Sequence, residues 1–558
     1  MLLMSASLLD AQARPVLTGI VRETTSGLPV SGAVVSLLDS SRAALQRTTS
    51  GAQGQYRLAL SPAAVYVQVR RIGFRPIEQT LLRDNVEHRV LDLRTERLPS
   101  IVTGLIVRAQ ASCPLRNDTP VAFGLWEQAR SALLASVVAR ESQAAEMRLY
   151  QFDRVMDHER ARSMGVVTYT KVQSQASFSA ALTPNAFVRS GFALDGPDDR
   201  TFFGPDAEVL LSDEFLNGYC MRLADRDPRH PERVGVRFVP ARTQRGRQDI
   251  DGTLWIDTVA RSLTHITYTY LMNDAQLNAA RPGGEVVFAE MPNGAVLVNR
   301  WIMRLAGFKV ESIPAVIRGN NFREGVSGTK RLVRVISENG GALAEARWRD
   351  GSSWRGSFGA LVIRAATDSG RAVPGRVIRL ARSPYRARTD SAGVVQFGEL
   401  VAGPYEAVLE DERLLPIRLD LPVPVPREVV LGETMSIAMP FPTPESFVIS
   451  RCRDDRRWKP GDVPTLLVRV MTSQGQAVEN ARIQIATTLE GLDFPLPTRL
   501  YTTGGDGLAT LCGPQPAPST RAKQVKLTVR MTDGRFAQQV LTLDDALAIV
   551  PLILSDRQ

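Results

Sequence analysis

Metal or acid–base chemistry would be expected first at the four histidines, His88, His158, His230 and His265. None of them stands in an H-E-x-x-H or H-x-x-E sequence, the spacing with which a zinc peptidase presents two of its ligands. The chain contains neither a G-x-S-x-G elbow nor a P-loop, so no activated serine and no phosphate cradle can be assigned. We therefore expect no catalytic residue, no metal ion and no cofactor.

Acidic residues cluster between positions 195 and 214, and they are Asp195, Asp198, Asp199, Asp206, Glu208, Asp213 and Glu214. Two facing carboxylates could hydrolyse a glycosidic bond, and several together could hold calcium. Their spacing matches no EF-hand loop, and Ser212 followed by two acids is typical of a capped helix N-terminus. We interpret the cluster as loop and capping residues, with hydrolysis or calcium binding as the alternatives.

The four cysteines, Cys113, Cys220, Cys452 and Cys512, occur without a C-x-x-C pair. This spacing argues against zinc binding and against thioredoxin-like redox chemistry. Four isolated cysteines are instead typical of an exported protein with two disulfides.

Three stretches of the chain repeat one pattern of short alternating strands and tight turns. Residues 17–74 carry it first, residues 361–411 repeat it, and residues 466–533 repeat it more loosely. Alternation of apolar and polar residues is typical of half-buried strands. Gly27 and Pro29 favour a turn in the first copy, because glycine adopts positive φ and proline cannot donate to a sheet. We expect a β-sandwich module that is used three times.

The first copy joins Pro-Val-Ser-Gly-Ala at 29–33 to a second turn that ends in Gly-Gln-Tyr at 54–56. This pattern resembles the carboxypeptidase regulatory-like modules, a transthyretin-like group within the Ig-like sandwiches. The resemblance implies a non-catalytic accessory module, often found on secreted or envelope proteins of bacteria. In such a sandwich the strand ending at Cys512 lies within reach of the entering chain. We therefore expect Cys452 to pair with Cys512, and Cys113 with Cys220.

The predicted fold class is mainly β, with Ig-like or transthyretin-like sandwiches flanking a central antiparallel domain. That domain is a curved sheet or half-barrel with one helix, and its strand rhythm resembles periplasmic lipoprotein-carrier half-barrels. The helix is expected after Asp118, where Leu125, Ala129, Leu133 and Val137 recur at helical spacing. The predicted segments are 1–14 (signal-peptide remnant), 15–98 (first sandwich), 99–147 (linker and helix), 148–312 (central β domain), 313–355 (linker with one strand), 356–440 (second sandwich) and 441–555 (third sandwich).

Composition and charge narrow the classes of partner. The 558-residue chain carries a net charge of +10, but its basic residues are scattered along strands, and only six of the 68 are lysine. A nucleic-acid reader would gather them into a stripe, so we expect no nucleic-acid partner. No apolar run reaches the length of a membrane span. The apolar run 2–9 followed by Ala-Gln-Ala at 11–13 is typical of the end of a secretory signal, which predicts a periplasmic, outer-membrane-associated or secreted protein.

Three hypotheses about function follow. The first is an exported, non-catalytic envelope protein whose sandwiches bind a partner or act as spacers between domains. The partner would be polysaccharide or another envelope protein. The second is a hydrolase with a site in 148–312, which two facing carboxylates in a cleft would favour. The third is a periplasmic carrier of an apolar ligand, which an open apolar face would favour; the residues expected on that face are Trp255, Ile266, Tyr268, Phe288 and Trp301.

Overall fold

A computed structural model shows two compact units, Met1–Ser357 and Phe358–Gln558. The predicted signal remnant at 1–14 lies outside the described residues, which are 15–82, 89–99, 113, 119–142, 145–157, 162–163, 168–174, 178, 181–195, 200–242, 246–272, 274–314, 326–349, 351–367, 369–381, 383–419, 421–422, 427–441, 443–452, 465–489, 492–495, 501–512, 524–542 and 547–555.

The described part of the first sandwich contains seven strands in two sheets. Its strands are β1 (Val16–Glu23), β2 (Val34–Leu38), β3 (Ala44–Thr49), β4 (Gln55–Ala59), β5 (Tyr66–Arg70), β6 (Ile77–Thr80) and β7 (Leu93–Thr95). One sheet has the order β4-β1-β7 and the other β3-β2-β5-β6. Gly27 and Gly54 occupy the predicted turns with φ of 70° and 72°. A Cβ at Gly54 would lie 2.5 Å from the carbonyl oxygen of Val21, so this turn requires glycine.

All five residues of strand β2 are buried. In a sandwich strand with one face in solvent, every second side chain would be exposed. Val35 and Leu37 face the sandwich core, while Val34 belongs to a second apolar cluster. Alternation along a strand with one wet face predicts that only one of Val34 and Val35 is buried, but both are buried because each packs into a different core. The outer face of this sheet is therefore covered by another element.

That covering element is helix α1 (Thr119–Ser142), which begins and ends close to the predicted positions. Its buried residues include Leu125 and Leu133 of the predicted stripe, and they form one cluster with Val34 and Ile72 of the sandwich and with residues of the central sheet. The helix thus contacts the sandwich on one side and the central sheet on another. Burial on several sides explains why it has many alanines and few charges.

The central domain is a large antiparallel sheet with short helices. Its strands, including the small β11–β12 hairpin, are β8 (Glu146–Asp157), β9 (Arg162–Ser163), β10 (Thr168–Ser174), β11 (Ala193–Asp195), β12 (Arg200–Phe202), β13 (Tyr219–Leu223), β14 (Arg233–Pro240), β15 (Ile250–Asp257), β16 (Ser262–Tyr270), β17 (Gly283–Glu290), β18 (Val296–Pro314), β19 (Val326–Arg347) and β20 (Ser353–Arg355). The short helices are α2 (Pro184–Ser190), α3 (Ala207–Leu211), α4 (Asp213–Gly218) and α5 (Ala275–Ala279). Described strands of the main sheet follow the order β10-β8-β19-β18-β17-β16-β15-β14-β13, with β9 beside β8 and β20 beside β19.

The prediction of a linker at 313–355 with one strand is wrong. Strand β19 pairs with β18 over residues 326–342 and with β8 over residues 335–347, and β20 pairs with its end. Most of the segment that the structure describes therefore belongs to the central sheet. Cross-strand pairing on two sides supplies the backbone hydrogen bonds, and a sequence rich in glycine and charge can then remain extended. Strands β17 and β18 form a hairpin across the Pro-Asn-Gly turn at 292–294, a sequence that favours such turns.

The second unit contains two more sandwiches with the topology of the first. Their strands are β21 (Gly359–Ala366), β22 (Val377–Leu380), β23 (Arg386–Arg388), β24 (Val394–Leu400), β25 (Gly403–Tyr405), β26 (Ala407–Glu410), β27 (Leu421–Pro422), β28 (Arg427–Val429) and β29 (Thr434–Pro440), then β30 (Thr465–Met471), β31 (Arg482–Leu489), β32 (Leu492–Pro495), β33 (Tyr501–Thr502), β34 (Leu508–Leu511), β35 (Gln524–Arg530), β36 (Phe536–Thr542) and β37 (Leu547–Ile553). In each module the first strand pairs antiparallel with a middle strand and parallel with a late one, as β4-β1-β7, β24-β21-β29 and β34-β30-β37 show. The fold class is therefore mainly β, with repeated sandwiches, as predicted.

Helix α6 (Pro444–Cys452) connects the two modules of the second unit, after a 3₁₀ turn at Glu412–Leu414. Its last residue, Cys452, bonds to Cys512 with a Cα–Cα distance of 5.6 Å, as predicted. In the first unit Cys113 bonds to Cys220 on β13, which is the other predicted pair.

Candidate functional site

The five residues predicted to form an apolar ligand face do not share one face of the sheet. Ile266, Tyr268, Phe288 and Trp301 are buried in the cluster that includes α1. Trp255 pairs with His265 across β15 and β16 and lies on the opposite face, because neighbouring residues of a strand alternate sides. The helix packs where a ligand was expected, so this prediction is corrected: four residues are core, and the fifth stacks on the His265 ring at 6.0 Å.

The first sandwich and the central domain are joined through polar contacts as well as apolar ones. The side-chain oxygen of Gln128, on α1, accepts a hydrogen bond of 2.8 Å from the buried backbone N–H of Gly73. Arg261 donates to the Gly73 carbonyl at 3.2 Å. Arg71 pairs with Glu290 at 3.1 Å. These contacts hold the two parts in one arrangement.

Two glycine turns meet at the same junction. A Cβ at Gly294 would lie 2.6 Å from the backbone nitrogen of Gly32 and 2.6 Å from the Ser50 carbonyl oxygen. Both glycines have positive φ, of 65° at Gly32 and 81° at Gly294. The backbones of the sandwich and of the β17–β18 hairpin therefore touch directly, which only glycine permits.

A cleft of about 560 Å³ opens between the outer face of the sandwich sheet and helices α1 to α4. Its size falls in the range of small-molecule sites, and such sites often occur where two domains meet. The lining residues are Ser36, Leu38, Arg42, Ala44, Arg47, Gln68, Arg70, Arg130, Leu134, Val137, Glu141, Pro184, Glu208, Leu211 and Ser212. Four of them are arginines, and we refer to this site as the arginine cleft.

The sheet side of the arginine cleft is a hydrogen-bonded row across strands. Arg42 donates to Glu78 at 2.9 Å, Gln68 donates to the other oxygen of Glu78 at 3.3 Å, and Arg70 donates through Nε to Gln68 at 2.8 Å. Burial lowers the pKa of the Arg70 guanidinium, Glu127 and Glu78 oppose that effect, and the positive charges nearby add to it. Within the described residues, the terminal Nη groups of Arg70 have no acceptor.

The helix side of the cleft carries Arg130 on α1. Its Nη1 atom lies 2.9 Å from Glu127, one turn earlier on the same helix. Its Nε is buried and has no hydrogen-bond partner in the part of the chain that the structure describes. Arg47, on β3, is exposed at the cleft and forms no ion pair with any described residue. Arg47 and the Nη groups of Arg70 thus lack a described acceptor on the sandwich side, whereas Arg130 on the helix side is paired with Glu127.

The two carboxylates of the cleft differ in their surroundings. Glu208 contacts the guanidinium of Arg140, which also lies 3.6 Å from Asp206. Glu141 is exposed at the end of α1. Burial raises the pKa of Asp206, and Arg140 opposes this. Glu208 is thus already paired, and Glu141 is the carboxylate of the cleft that stands against Arg47 and Arg70.

The predicted acidic cluster has the structural role expected of it where the structure describes it. Asp206 caps α3 by accepting from the Glu208 N–H, and Ser212 caps α4 by accepting from the Phe215 N–H. Asp213 and Glu214 occupy the first turn of α4. Asp195 ends β11, whereas positions 198 and 199 lie outside the described residues.

The histidines are dispersed. His88 and His158 lie outside the described residues, and the Nδ1 of His230 lies 3.3 Å from Glu232 near the start of β14. His265 lines a second cleft of about 420 Å³ with Glu285 and others. Its Nδ1 lies 2.9 Å from Thr264 Oγ, and burial lowers its pKa although Glu285 opposes that effect.

No group of three histidine, cysteine, aspartate or glutamate side chains within the described ranges is arranged to hold a metal ion. Among those same residues, no helix combines the length and apolar character needed to cross a membrane.

Sequence reasoning missed the arginine cleft because its basic residues, such as Arg47 and Arg70, are scattered along separate strands and form no cluster in the sequence. A signal was present in β2, whose sequence Val-Val-Ser-Leu-Leu lacks the polar alternation of a strand with one wet face. That pattern indicates that the outer face of the sandwich sheet is covered. The arginines on the neighbouring strands therefore border a cleft and not open solvent.

The fold defines a multidomain protein in which Ig-like β-sandwiches accompany an antiparallel sheet domain. Residues 16–94 match the family described as carboxypeptidase regulatory-like domain, so the chain contains such a domain as its first sandwich. This confirms the resemblance inferred from the turn motifs.

No curated protein matches the chain. Among solved structures, the Bacillus anthracis TIE protein is 12% identical over 65% of this chain and 64% of that one, with a TM-score of 0.14. A streptococcal ancillary pilin is 11% identical over 41% of this chain and 82% of its own, with a TM-score of 0.14. The shaft pilin SpaA of Lactobacillus rhamnosus GG is 8% identical over 36% of this chain and 99% of its own, with a TM-score of 0.13. TM-scores this low support no argument about fold or function.

Proposed function

We propose that this chain is an exported, non-catalytic binding protein whose first sandwich and central domain together hold a ligand. One observation carries the proposal: the arginine cleft is lined by both parts, with Arg47 and Arg70 on the sandwich and Arg130 on α1. The two parts meet through Gln128, Gly73 and the glycine contact, so the walls of the cleft keep a defined separation. Preformed clefts of this kind are typical ligand sites.

The chemistry of the cleft favours binding over reaction. Arginine donates hydrogen bonds but stays protonated, so it cannot act as a general base. Ser212 is engaged as a helix cap, because its hydroxyl accepts from the Phe215 N–H and donates to the Val209 carbonyl. Glu208 is held by Arg140. The polar groups of the cleft therefore serve recognition in this proposal.

Export is supported by the two disulfides, which persist in oxidising compartments. We infer an envelope location, in which the two sandwiches of the second unit act as a spacer or as further binding modules. Fractionation of native cells should recover the oxidised chain outside the cytoplasm. Recovery of the reduced chain in the cytosol would contradict this part of the proposal.

Blocking the cleft tests the binding function. Ala44 is exposed at its wall, so Ala44→Trp should fill the cleft without disturbing a core. Ala52, in an exposed turn outside the cleft, provides the matched control Ala52→Trp. Thermal unfolding of the full chain would be measured with sets of sugars, organic acids, alcohols and short peptides, since a ligand that binds the folded state raises Tm.

We expect at least one class of compound to stabilise the wild type and Ala52→Trp, but not Ala44→Trp. Equal stabilisation of all three proteins would place binding elsewhere. Absence of stabilisation by every class would also count against the arginine cleft as a ligand site.

A further inference from the structure

We propose that the arginine cleft takes a small organic acid, with its carboxylate or phosphate group held by Arg70 and Arg130 and its apolar body lying against α1 and α3. The inference rests on the proposed binding function and names the chemical class of the ligand. Carboxylate and phosphate share the property that matters here, which is a compact anion with several acceptor oxygens that a guanidinium can bind in a bidentate manner.

The first argument is the count of charges that remain available. The cleft is lined by four arginines and two glutamates. Glu208 forms an ion pair with Arg140, and Arg42 forms an ion pair with Glu78, so the charges of Glu208 and Arg42 are already neutralised without a ligand. Arg130 is likewise paired with Glu127, which leaves Arg47 and Arg70 against Glu141 among the lining residues. The excess of one positive charge is what an anion would neutralise.

The second argument is the preparation of the two guanidinium groups. Gln68 accepts from the Nε of Arg70 at 2.8 Å and is itself bound to Glu78, so the Arg70 side chain is oriented before any ligand arrives. Arg130 is held by Glu127 while its buried Nε lacks a described partner. The Nε of Arg130 is enclosed by protein, whereas the Nη groups of Arg70 have no described acceptor and are the donors that an anion in the cleft would engage. Since one arginine lies on β5 and the other on α1, the anion would bridge the sandwich and the central domain.

The third argument is the apolar part of the lining. Leu134 and Val137 on α1 and Leu211 on α3 contribute to the wall, and Leu38 adds to it from the sandwich. Leu38 and Val137 are already buried, whereas Leu134 and Leu211 are partly exposed. An inorganic anion would leave Leu134 and Leu211 in contact with water. An acid with an apolar body would bury them as well as its charge, which selects an organic acid over free phosphate or sulfate.

Calorimetric titration of the full chain with three eight-carbon probes tests the inference. Octanoate and octyl phosphate carry the two candidate head groups, and octanol is the neutral control with the same tail. We expect one or both acids to bind at least about tenfold more tightly than octanol, since hydrogen bonds to charged groups contribute that much or more. Binding of one acid alone would identify the head group. Raising NaCl to about 0.5 M should weaken the binding of the acid, because salt screens the guanidinium charges.

Substitutions locate the binding groups. Arg70→Gln and Arg130→Gln should each weaken acid binding by about tenfold and leave octanol unchanged. Arg57→Gln, at an exposed position of β4 outside the cleft, should bind as the wild type does. The salt series on the wild type needs no variant, so the inference stays testable if a substitution impairs folding.

Three results would overturn the inference: no binding of either acid, equal binding of octanol, or unchanged acid affinity in both arginine variants. If Ala44→Trp still abolishes binding of some neutral compound, the cleft is a ligand site for another class, and only the anionic ligand is wrong. If Ala44→Trp changes the binding of no compound, the proposed function itself fails.

Discussion

The hydrogen bond between Gln128 and the Gly73 N–H should contribute measurably to the stability of the first unit. The bond is 2.8 Å long, and Gln128 is only 2% exposed. Gln128→Met keeps the length of the side chain but removes the acceptor, so the buried N–H of Gly73 loses its partner. An unsatisfied buried donor costs about 1–3 kcal/mol, and the apolar replacement offsets part of this. We expect a loss of about 1–2 kcal/mol.

Tryptophan fluorescence during urea unfolding of the full chain isolates this effect. Five of the six tryptophans lie in the first unit, at 126, 255, 301, 348 and 354, so the signal reports mainly on that unit. With a urea dependence of a few kcal/mol per molar, the midpoint should fall by roughly 0.3–1 M. Gln79→Met, on the exposed strand β6, is the control and should leave the midpoint unchanged. An equal midpoint for Gln128→Met and the wild type would refute the assignment of this contact as a structural bond of the junction.

Three further predictions concern titratable and covalent groups. Burial lowers the pKa of His265, so this histidine takes up a proton at a higher pH in the unfolded chain than in the folded one. Acidification from about pH 7.5 to 5.5 should therefore destabilise the wild type more than His265→Gln. Urea unfolding curves that shift equally with pH in the two proteins would contradict this. Burial alone would raise the pKa of Glu338, but Arg154 lowers that pKa. The stability that ionised Glu338 contributes is therefore present above the ordinary glutamate pKa and is lost as pH falls through the folded-state pKa. Measured by urea titration, Glu338→Gln should cost about 3–5 kcal/mol near neutral pH and much less in acid. Cys452 and Cys512 close a loop with a sequence separation of 60. Replacing both by serine should lower the free energy of unfolding of the second unit by about 3–4 kcal/mol, measured by calorimetry. An unchanged unfolding transition would show that the disulfide adds little stability.

The repeated sandwich and its disulfides could be predicted from local sequence. Turn glycines such as Gly27 and Gly54 adopt positive φ, of 70° and 72°, which other residues rarely adopt, so glycine marks these turns in the sequence. Period-two alternation then orients each short strand relative to its core. The pairing of Cys452 with Cys512 follows once the sandwich template is recognised, because the template brings the two chain segments together.

The sequence could not show which elements cover which faces. Strand β19 looked like a linker because glycine and charge lower strand propensity, yet pairing with β18 and β8 keeps it extended. The face expected to hold an apolar ligand was recognised as apolar, but an apolar face is compatible with a ligand or with a helix. Only the packing of α1 against Ile266 and Trp301 decided between them.

The sequence by itself determined the strand patterns, the turns, the cysteine pairs and the helix α1, since each depends on residues close in the chain or on a repeated template. The arginine cleft was decided by the tertiary structure alone. Arg70 lies on β5 and Arg130 on α1, and they face one cleft because Val34 and Ile72 of the sandwich pack on that helix. A site made by two domains depends on how their surfaces meet, and that arrangement is set by long-range packing that no local pattern encodes.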